Sequence, residues 1–120
     1  MTPPLPTKEE VQEALRRGHT ARTLPKDDER AKTLAADPNS YVRGQLAANP
    51  NLNTEIQWKL AGDKDRHVRR VLAHNPHTHP TVLHHLANED WDEAVTKTAE
   101  DTLRDNSHTP KEADTRPTVL

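Results

Sequence analysis

Residues 34–50 read Leu34-Ala35-Ala36-Asp37-Pro38-Asn39-Ser40-Tyr41-Val42-Arg43-Gly44-Gln45-Leu46-Ala47-Ala48-Asn49-Pro50, and the pattern of this segment recurs along the chain. At an interval of 26 residues, Leu34-Ala35-x-Asp37 recurs as Leu60-Ala61-x-Asp63 and Leu86-Ala87-x-Glu89. The following segment, Val42-Arg43-x-x-Leu46-Ala47-x-Asn49-Pro50, recurs as Val68-Arg69-x-x-Leu72-Ala73-x-Asn75-Pro76. Self-similarity at a short fixed period is typical of solenoids, in which each unit buries its apolar face against the next.

Turn residues divide each unit into two short apolar segments. Asp37-Pro38-Asn39 and Asn49-Pro50 favour breaks, so the first unit is predicted to form helices at about 40–48 and 53–61, and the second at about 65–74 and 79–87. A period of 26 residues leaves little room for two full helices, which predicts a 3₁₀-like turn for one segment of each unit. The aliphatic side chains expected to face inward are Leu34, Val42, Leu46, Ile56, Leu60, Val68, Leu72, Val82, Leu83 and Leu86.

The flanks of the repeat differ from its centre. Residues 1–6 are Pro-rich and predicted to be extended, and the capping box Thr7-x-x-Glu10 predicts a helix at about 8–17 that stops at Gly18. A further helix is expected at about 28–36. The third unit has Ala94 and Thr98 where the Val and Leu pair is expected, which is typical of a terminal cap and predicts a helix at about 91–104.

The predicted organisation is therefore a helical repeat domain over residues 7–104, with units at about 34–59, 60–85 and 86–104. Residues 105–120 contain two Pro and no apolar period, and they are predicted to be disordered. The ending Thr118-Val119-Leu120 fits the short C-terminal form that PDZ domains bind, although so short a pattern also arises by chance.

Composition excludes several classes of protein. Hydrophobic residues make up 31% and charged residues 30% of the chain, and there is no Phe and no Cys. The lack of Cys excludes disulfides and thiolate metal sites. No apolar run is long enough to cross a bilayer, and residues 1–6 lack the features of a secretion signal, so we expect a soluble cytoplasmic protein. With a net charge of −2 there is no general attraction to nucleic acid.

The units from Leu34 to Pro50 and from Leu60 to Pro76 resemble the leucine-rich repeat variant family, whose units read roughly Leu-Ala-x-Asp-Pro-x-x-x-Val-Arg-x-x-Leu-Ala-x-Asn-Pro. Lys64 departs from that pattern, and the third unit keeps only a few positions. The resemblance implies an all-α fold in which α and 3₁₀ helices alternate in a short right-handed α-solenoid. It also implies a binding role, because related HEAT-like solenoids usually bind proteins, and a DNA glycosylase built from such repeats binds DNA. The iron–sulfur cluster of the founding type does not carry over, because this chain has no Cys, and we expect no cofactor.

Arginines recur with acids in the two regular units. Arg43 and Arg69 each follow an acid, Asp37 and Asp63, by six residues. The simpler interpretation is a structural ladder of ion pairs within or between units. The alternative is phosphate binding by a basic face within residues 43–70 that also includes Lys59, Arg66 and Arg70.

Residues that vary between units are candidates for binding. Arg66, Arg70 and His74 form an i, i+4, i+8 stripe predicted to face outward, with Arg66 able to pair with Asp92. Either this stripe is a solvated face or it binds an acidic partner. The outward residues predicted to bind a protein partner are Trp58, Arg66, Arg70, His74, His84 and His85. For Trp58, packing on the neighbouring unit is favoured over free exposure.

Histidines concentrate between positions 67 and 85. Three of them, His74, His77 and His79, are weak candidates for a zinc site, but no carboxylate ligand accompanies them and drift on a polar surface is the simpler explanation. A contact that depends on pH is the remaining alternative for these histidines. There is no Gly-rich phosphate loop or nucleophile elbow, so we expect no enzymatic activity. The preferred hypothesis is a non-enzymatic protein-binding module, the alternative is a nucleic-acid-binding repeat, and a metal protein is the weakest.

Overall fold

The computed structural model describes residues 2–108, except for the side chain of His108. This part of the chain is all-helical and has no strand, which confirms the predicted all-α class. Its helices are α1 (Lys8–Thr23), α2 (Arg30–Ala35), α3 (Ser40–Ala47), α4 (Thr54–Ala61), α5 (Arg66–His74), α6 (Pro80–Glu89) and α7 (Glu93–His108). The expected 3₁₀ turns are wrong, because the short helices within residues 2–108 are all α-helical. None of these helices is long and apolar enough to span a bilayer.

Polar side chains fix where the helices begin. Asn39, Asn53 and Asp65 each accept a hydrogen bond from a backbone N–H in the first turn of α3, α4 and α5. At α1 the predicted capping box is confirmed, since Thr7 and Glu10 exchange side-chain and backbone hydrogen bonds. The recurring caps explain why such short helices start at the same point of each unit.

The predicted stop of α1 at Gly18 is wrong. Helix α1 continues to Thr23, and Gly18 is a buried residue within it. A Cβ atom at Gly18 would lie 2.6 Å from Cε2 of Tyr41 on α3. The glycine therefore allows α1 and α3 to approach closely and does not end the helix.

The helices form two rows. The odd-numbered helices pack in the order α1, α3, α5, α7, and the even-numbered helices in the order α2, α4, α6. The rows also pack on each other, for example through α2 with α3 and α4 with α5, and α7 contacts α6 as well as α5. The core lies between the rows. All ten aliphatic side chains predicted to face inward are buried, which confirms that set, and eight of them are fully inaccessible to solvent.

The third unit is shifted by one residue relative to the predicted interval. Val95 and Ala99 are fully buried, whereas Ala94 and Thr98, the expected equivalents, are not. The cause is α6, which is 10 residues long where α4 has 8, so that the next helix cap falls at Asp92. The predicted register of this unit is therefore wrong by one position.

The C-terminal helix is longer than expected. Helix α7 continues through residues 105–108, for which disorder was predicted. Residues 109–120, which include the rest of the predicted tail and the Thr118-Val119-Leu120 motif, lie outside the described residues.

Candidate functional site

Three arginines and three aspartates link consecutive units of the odd-numbered row. The Nε atom of each arginine donates to one carboxylate oxygen of an aspartate at 2.7–2.8 Å, and its Nη2 atom donates to the second oxygen at 3.2–3.5 Å. The pairs are Arg17 with Asp37, Arg43 with Asp63, and Arg69 with Asp90. We call this set the Arg–Asp ladder. Such bidentate geometry fixes the position of both side chains.

Arg43 and Arg69 also donate a hydrogen bond within their own unit. Nη1 of Arg43 donates to the backbone carbonyl of Asp37 at 2.7 Å, and Nη1 of Arg69 donates to that of Asp63 at 2.6 Å. Arg43 and Arg69 are only 6% and 4% exposed. Because their donors are engaged and their side chains are covered, these two residues are not available for contacts with phosphate.

Pairing within the ladder shifts the pKa values of Arg43 and Asp37. The hydrogen bond to Asp63 raises the pKa of Arg43. Burial tends to raise the pKa of Asp37, but hydrogen bonds from Arg17 and from the Asn39 N–H outweigh it and hold that pKa below its usual value. Both pKa shifts favour the charged forms of Arg43 and Asp37.

Two residues of the ladder, Arg17 and Asp90, were not predicted from the sequence. Arg17 precedes Arg43 by the repeat interval of 26, so the interval could have identified it, but its surroundings in α1 do not match the repeat. Asp90 follows Glu89, the residue that the interval selects. The ring of Trp91 lies beside this last rung, with its centroid 4.9 Å from the guanidinium carbon of Arg69.

The Asn-Pro pairs also have a structural role. The side-chain amide of Asn49 donates to the carbonyls of Ala21 and Leu24 at 2.8 and 3.1 Å. That of Asn75 donates to the carbonyls of Ala47 and Asn49 at 2.9 and 3.0 Å. Both asparagines are buried, so they satisfy main-chain acceptors of the preceding unit and offer nothing to a ligand.

The predicted stripe on α5 faces solvent. Arg66, Arg70 and His74 are all exposed. Nη1 of Arg66 lies 3.5 Å from the carboxylate of Asp92, the pair expected from the sequence, and its side chain remains 76% exposed. Burial raises the pKa of Asp92, but backbone hydrogen bonds from Ala94 and Val95, together with Arg66, lower it overall.

The other candidate binding residues lie on the even-numbered row. The ring of Trp58 on α4 contacts His85 on α6 edge-on, with centroids 5.2 Å apart and planes at 64°. Trp58 is nevertheless 42% exposed, and His84 and His85 on α6 are also exposed. The six predicted residues lie on two different rows of helices. They divide into an α5 surface (Arg66, Arg70, His74) and an α4–α6 surface (Trp58, His84, His85).

Within residues 2–107, the candidate ligands His74, His77 and His79 are not brought together as a metal centre. Among the described residues, no group of three or more His, Cys, Asp or Glu side chains is placed to hold an ion. His79 instead caps α6, with Nδ1 accepting from the Thr81 N–H at 3.2 Å.

A further surface lies at the N-terminal end. Val11 and Leu15 on α1 are 43% and 51% exposed, and Tyr41 on α3 is 43% exposed. They line a cavity of about 530 Å³ together with Pro6, Glu9, Glu10, Glu13, Ala14, Arg17 and Asn39. We call this cavity the α1 groove. The helical spacing of Val11 and Leu15 predicted a helix but did not indicate that this side of it would remain uncovered.

The chain matches no protein-family model, and comparisons with curated proteins and with solved structures give no match. The resemblance to the leucine-rich repeat variant family therefore rests on the recurring residues quoted above.

Proposed function

We propose that this chain is a non-enzymatic helical-repeat module, a short α-solenoid of the leucine-rich repeat variant type, that binds a partner protein in the cytoplasm. One observation carries the proposal. Residues that recur between units are buried and bonded to one another, whereas the residues of the α5 stripe do not recur. The exposed Arg66, Arg70 and His74 correspond by the repeat interval to the half-buried Ser40 and Ala48 and to the buried Gly44. A constant core with a changing outer face suits recognition.

Two exposed surfaces are the candidates for partner binding. The α4–α6 surface offers Trp58, an aromatic residue of the kind that often dominates interface energies. The α5 surface offers two guanidinium groups, of which Arg66 is only loosely held by Asp92. The first would bind an apolar segment and the second an acidic one.

The test is affinity capture with the full chain from its native host, compared across variants. Trp58→Ala and the pair Arg66→Ala with Arg70→Ala should each be compared with Arg22→Ala, which removes an exposed arginine of α1 outside both surfaces. A partner that is lost with one of the first two variants and kept with Arg22→Ala supports the proposal. If no protein depends on either surface while the chain is retained on heparin or DNA, the proposal is wrong.

Nucleic-acid binding is the second candidate, supported by the exposed Arg66 and Arg70 on one helix face. Arg43 and Arg69, which the sequence offered as phosphate ligands, cannot contribute because they are buried in the Arg–Asp ladder. The remaining charge is small for a duplex surface. A gel shift that weakens steeply with salt and disappears with Arg66→Ala and Arg70→Ala would favour it, and no shift at low salt would exclude it.

A further inference from the structure

The α1 groove is lined by both apolar and acidic side chains. Of the six exposed large hydrophobic side chains among the described residues, Val11, Leu15 and Tyr41 line this one cavity. Val11 and Leu15 are one helical turn apart, and the ring of Tyr41 is held over Gly18 of the same helix. Apolar side chains gathered in a concave surface commonly mark a binding site.

The charged side chains that line the groove are mostly acidic. Glu9, Glu10 and Glu13 line the groove, and Arg17 is the only cationic side chain among its lining residues. Arg17 is bonded to Asp37 and also interacts electrostatically with Glu13, so it offsets only part of this negative charge. Glu13 has a partner in Arg16, an exposed side chain, and Glu9 has no ion pair among the described residues.

We propose that the α1 groove binds a segment of a partner protein in which apolar side chains are flanked by Lys or Arg. The apolar side chains would contact Val11, Leu15 and Tyr41, and the cationic groups would lie near Glu9 and Glu13. The proposal goes beyond the function proposed above, because none of the residues that line the groove belongs to the α5 or the α4–α6 surface. A second copy of this chain fits less well, since two grooves face to face would bring their carboxylates together.

The experiment uses the full chain and a defined probe. A dye-labelled synthetic peptide with two leucines four residues apart, flanked by lysines, is titrated while fluorescence anisotropy and amide chemical shifts are recorded. Two matched peptides carry Glu in place of Lys, or Ser in place of Leu. We expect the Lys peptide to bind, with shifts centred on Val11, Leu15 and Tyr41, and both matched peptides to bind at least about tenfold more weakly.

Variants of exposed residues then identify the site. Val11→Ser with Leu15→Ser, and separately Glu9→Gln with Glu13→Gln, should each weaken the Lys peptide by at least about tenfold while circular dichroism stays unchanged. Trp58→Ser and Arg66→Ala, which alter the surfaces of the proposed function, should leave this affinity intact, so that the two proposals fail separately.

Several results would overturn the inference. These are no binding of the Lys peptide at about 1 mM, equal binding of the Glu peptide, or an affinity that Val11→Ser with Leu15→Ser does not change. Sedimentation that reveals a dimer abolished by the same variant would assign the groove to a second copy instead. Binding to zwitterionic vesicles that Val11→Ser with Leu15→Ser abolishes, without binding of the Lys peptide, would assign the groove to a lipid surface.

Discussion

Arg43 and Asp63 form a bidentate ion pair between units, with Nε to Oδ2 at 2.7 Å and Nη2 to Oδ1 at 3.2 Å. The side chains are only 7% and 6% exposed, so the pair is almost entirely removed from water. Asp63 also accepts from the Asp65 N–H at 2.9 Å. A buried pair with these additional bonds holds two units in register, and its loss leaves an uncompensated charge.

Breaking this pair is expected to destabilise the fold strongly. Arg43→Met leaves Asp63 buried without its partner, and we expect a loss of about 3–5 kcal/mol in the free energy of unfolding. Arg17→Met is the comparison, because Arg17 pairs in the same way with Asp37, whose side chain is 8% exposed, but is itself 39% exposed, and because Arg43 also donates to the Asp37 carbonyl. It should cost less, about 1–3 kcal/mol, because water can reach the Asp37 carboxylate more easily once the exposed Arg17 side chain is replaced. Urea denaturation followed by circular dichroism measures both, and equal losses would contradict the role of burial.

The shifted register of the third unit gives a second prediction. Asp90 pairs with Arg69, and its side chain is 3% exposed. Asp90→Ala should therefore cost about 3–5 kcal/mol, because Arg69 is left buried and unpaired. Glu89, the residue that the 26-residue interval selects, is exposed, so Glu89→Ala should change the free energy of unfolding by less than about 0.5 kcal/mol. If thermal or urea denaturation showed a larger loss for Glu89→Ala than for Asp90→Ala, the shifted register of the third unit would be contradicted.

Much of the core could be predicted from the sequence, whereas register and exposure could not. Val42, Leu46, Val68 and Leu72 recur at one interval, and periodic apolar residues share a face whatever the details of packing. The choice of Asp90 over Glu89 depends on where α6 ends, and both residues are acids that would suit the position. The exposure of Leu15 depends on which elements cover α1, which is a tertiary property that local spacing does not contain.

The two helical glycines should respond oppositely to alanine. A Cβ at Gly44 would meet no atom within 4 Å, so Gly44→Ala is expected to stabilise the fold by about 0.5–1 kcal/mol through reduced freedom of the unfolded chain. At Gly18 the added Cβ would lie 2.6 Å from the Tyr41 ring and 3.2 Å from Cγ of Gln45. Gly18→Ala should destabilise by about 1–3 kcal/mol.

A double variant separates the contact from other effects of the Gly18 substitution. If the Tyr41 ring causes the cost, Tyr41→Ala in the Gly18→Ala background should destabilise less than Tyr41→Ala does alone in the natural background. Strictly additive losses would mean that the close approach of α1 and α3 is not the reason for the glycine.

Removing the buried side-chain amide of Asn75 is expected to lower the free energy of unfolding, because the amide makes several hydrogen bonds. Asn75→Ala removes two donors to the carbonyls of Ala47 and Asn49 and an acceptor for the His77 N–H. Unsatisfied buried groups cost about 1–3 kcal/mol, and we expect a loss in that range from chemical denaturation. Asn51→Ala, at an exposed position, is the control and should stay within about 0.5 kcal/mol of the natural chain. Equal stability of both variants would argue against the bonding role of the Asn-Pro pairs.

Acid should destabilise this fold below about pH 4. Hydrogen bonds from Arg30 lower the pKa of Asp28 from 3.8 to about 2. The pKa of Asp37 is also lowered, because hydrogen bonds from Arg17 and the Asn39 N–H outweigh the effect of burial. Since these carboxyls bind protons more weakly in the folded than in the unfolded state, their contribution is fully present above the unfolded pKa and is lost as the pH falls through the folded pKa.

Melting temperatures measured between about pH 7 and pH 2 should therefore hold steady down to about pH 4 and then fall. Asp37→Asn should lower the melting temperature at neutral pH and make the fall below pH 4 shallower, because the variant has no carboxyl to titrate at this position. A variant profile parallel to that of the natural chain would show that Asp37 does not contribute to acid unfolding.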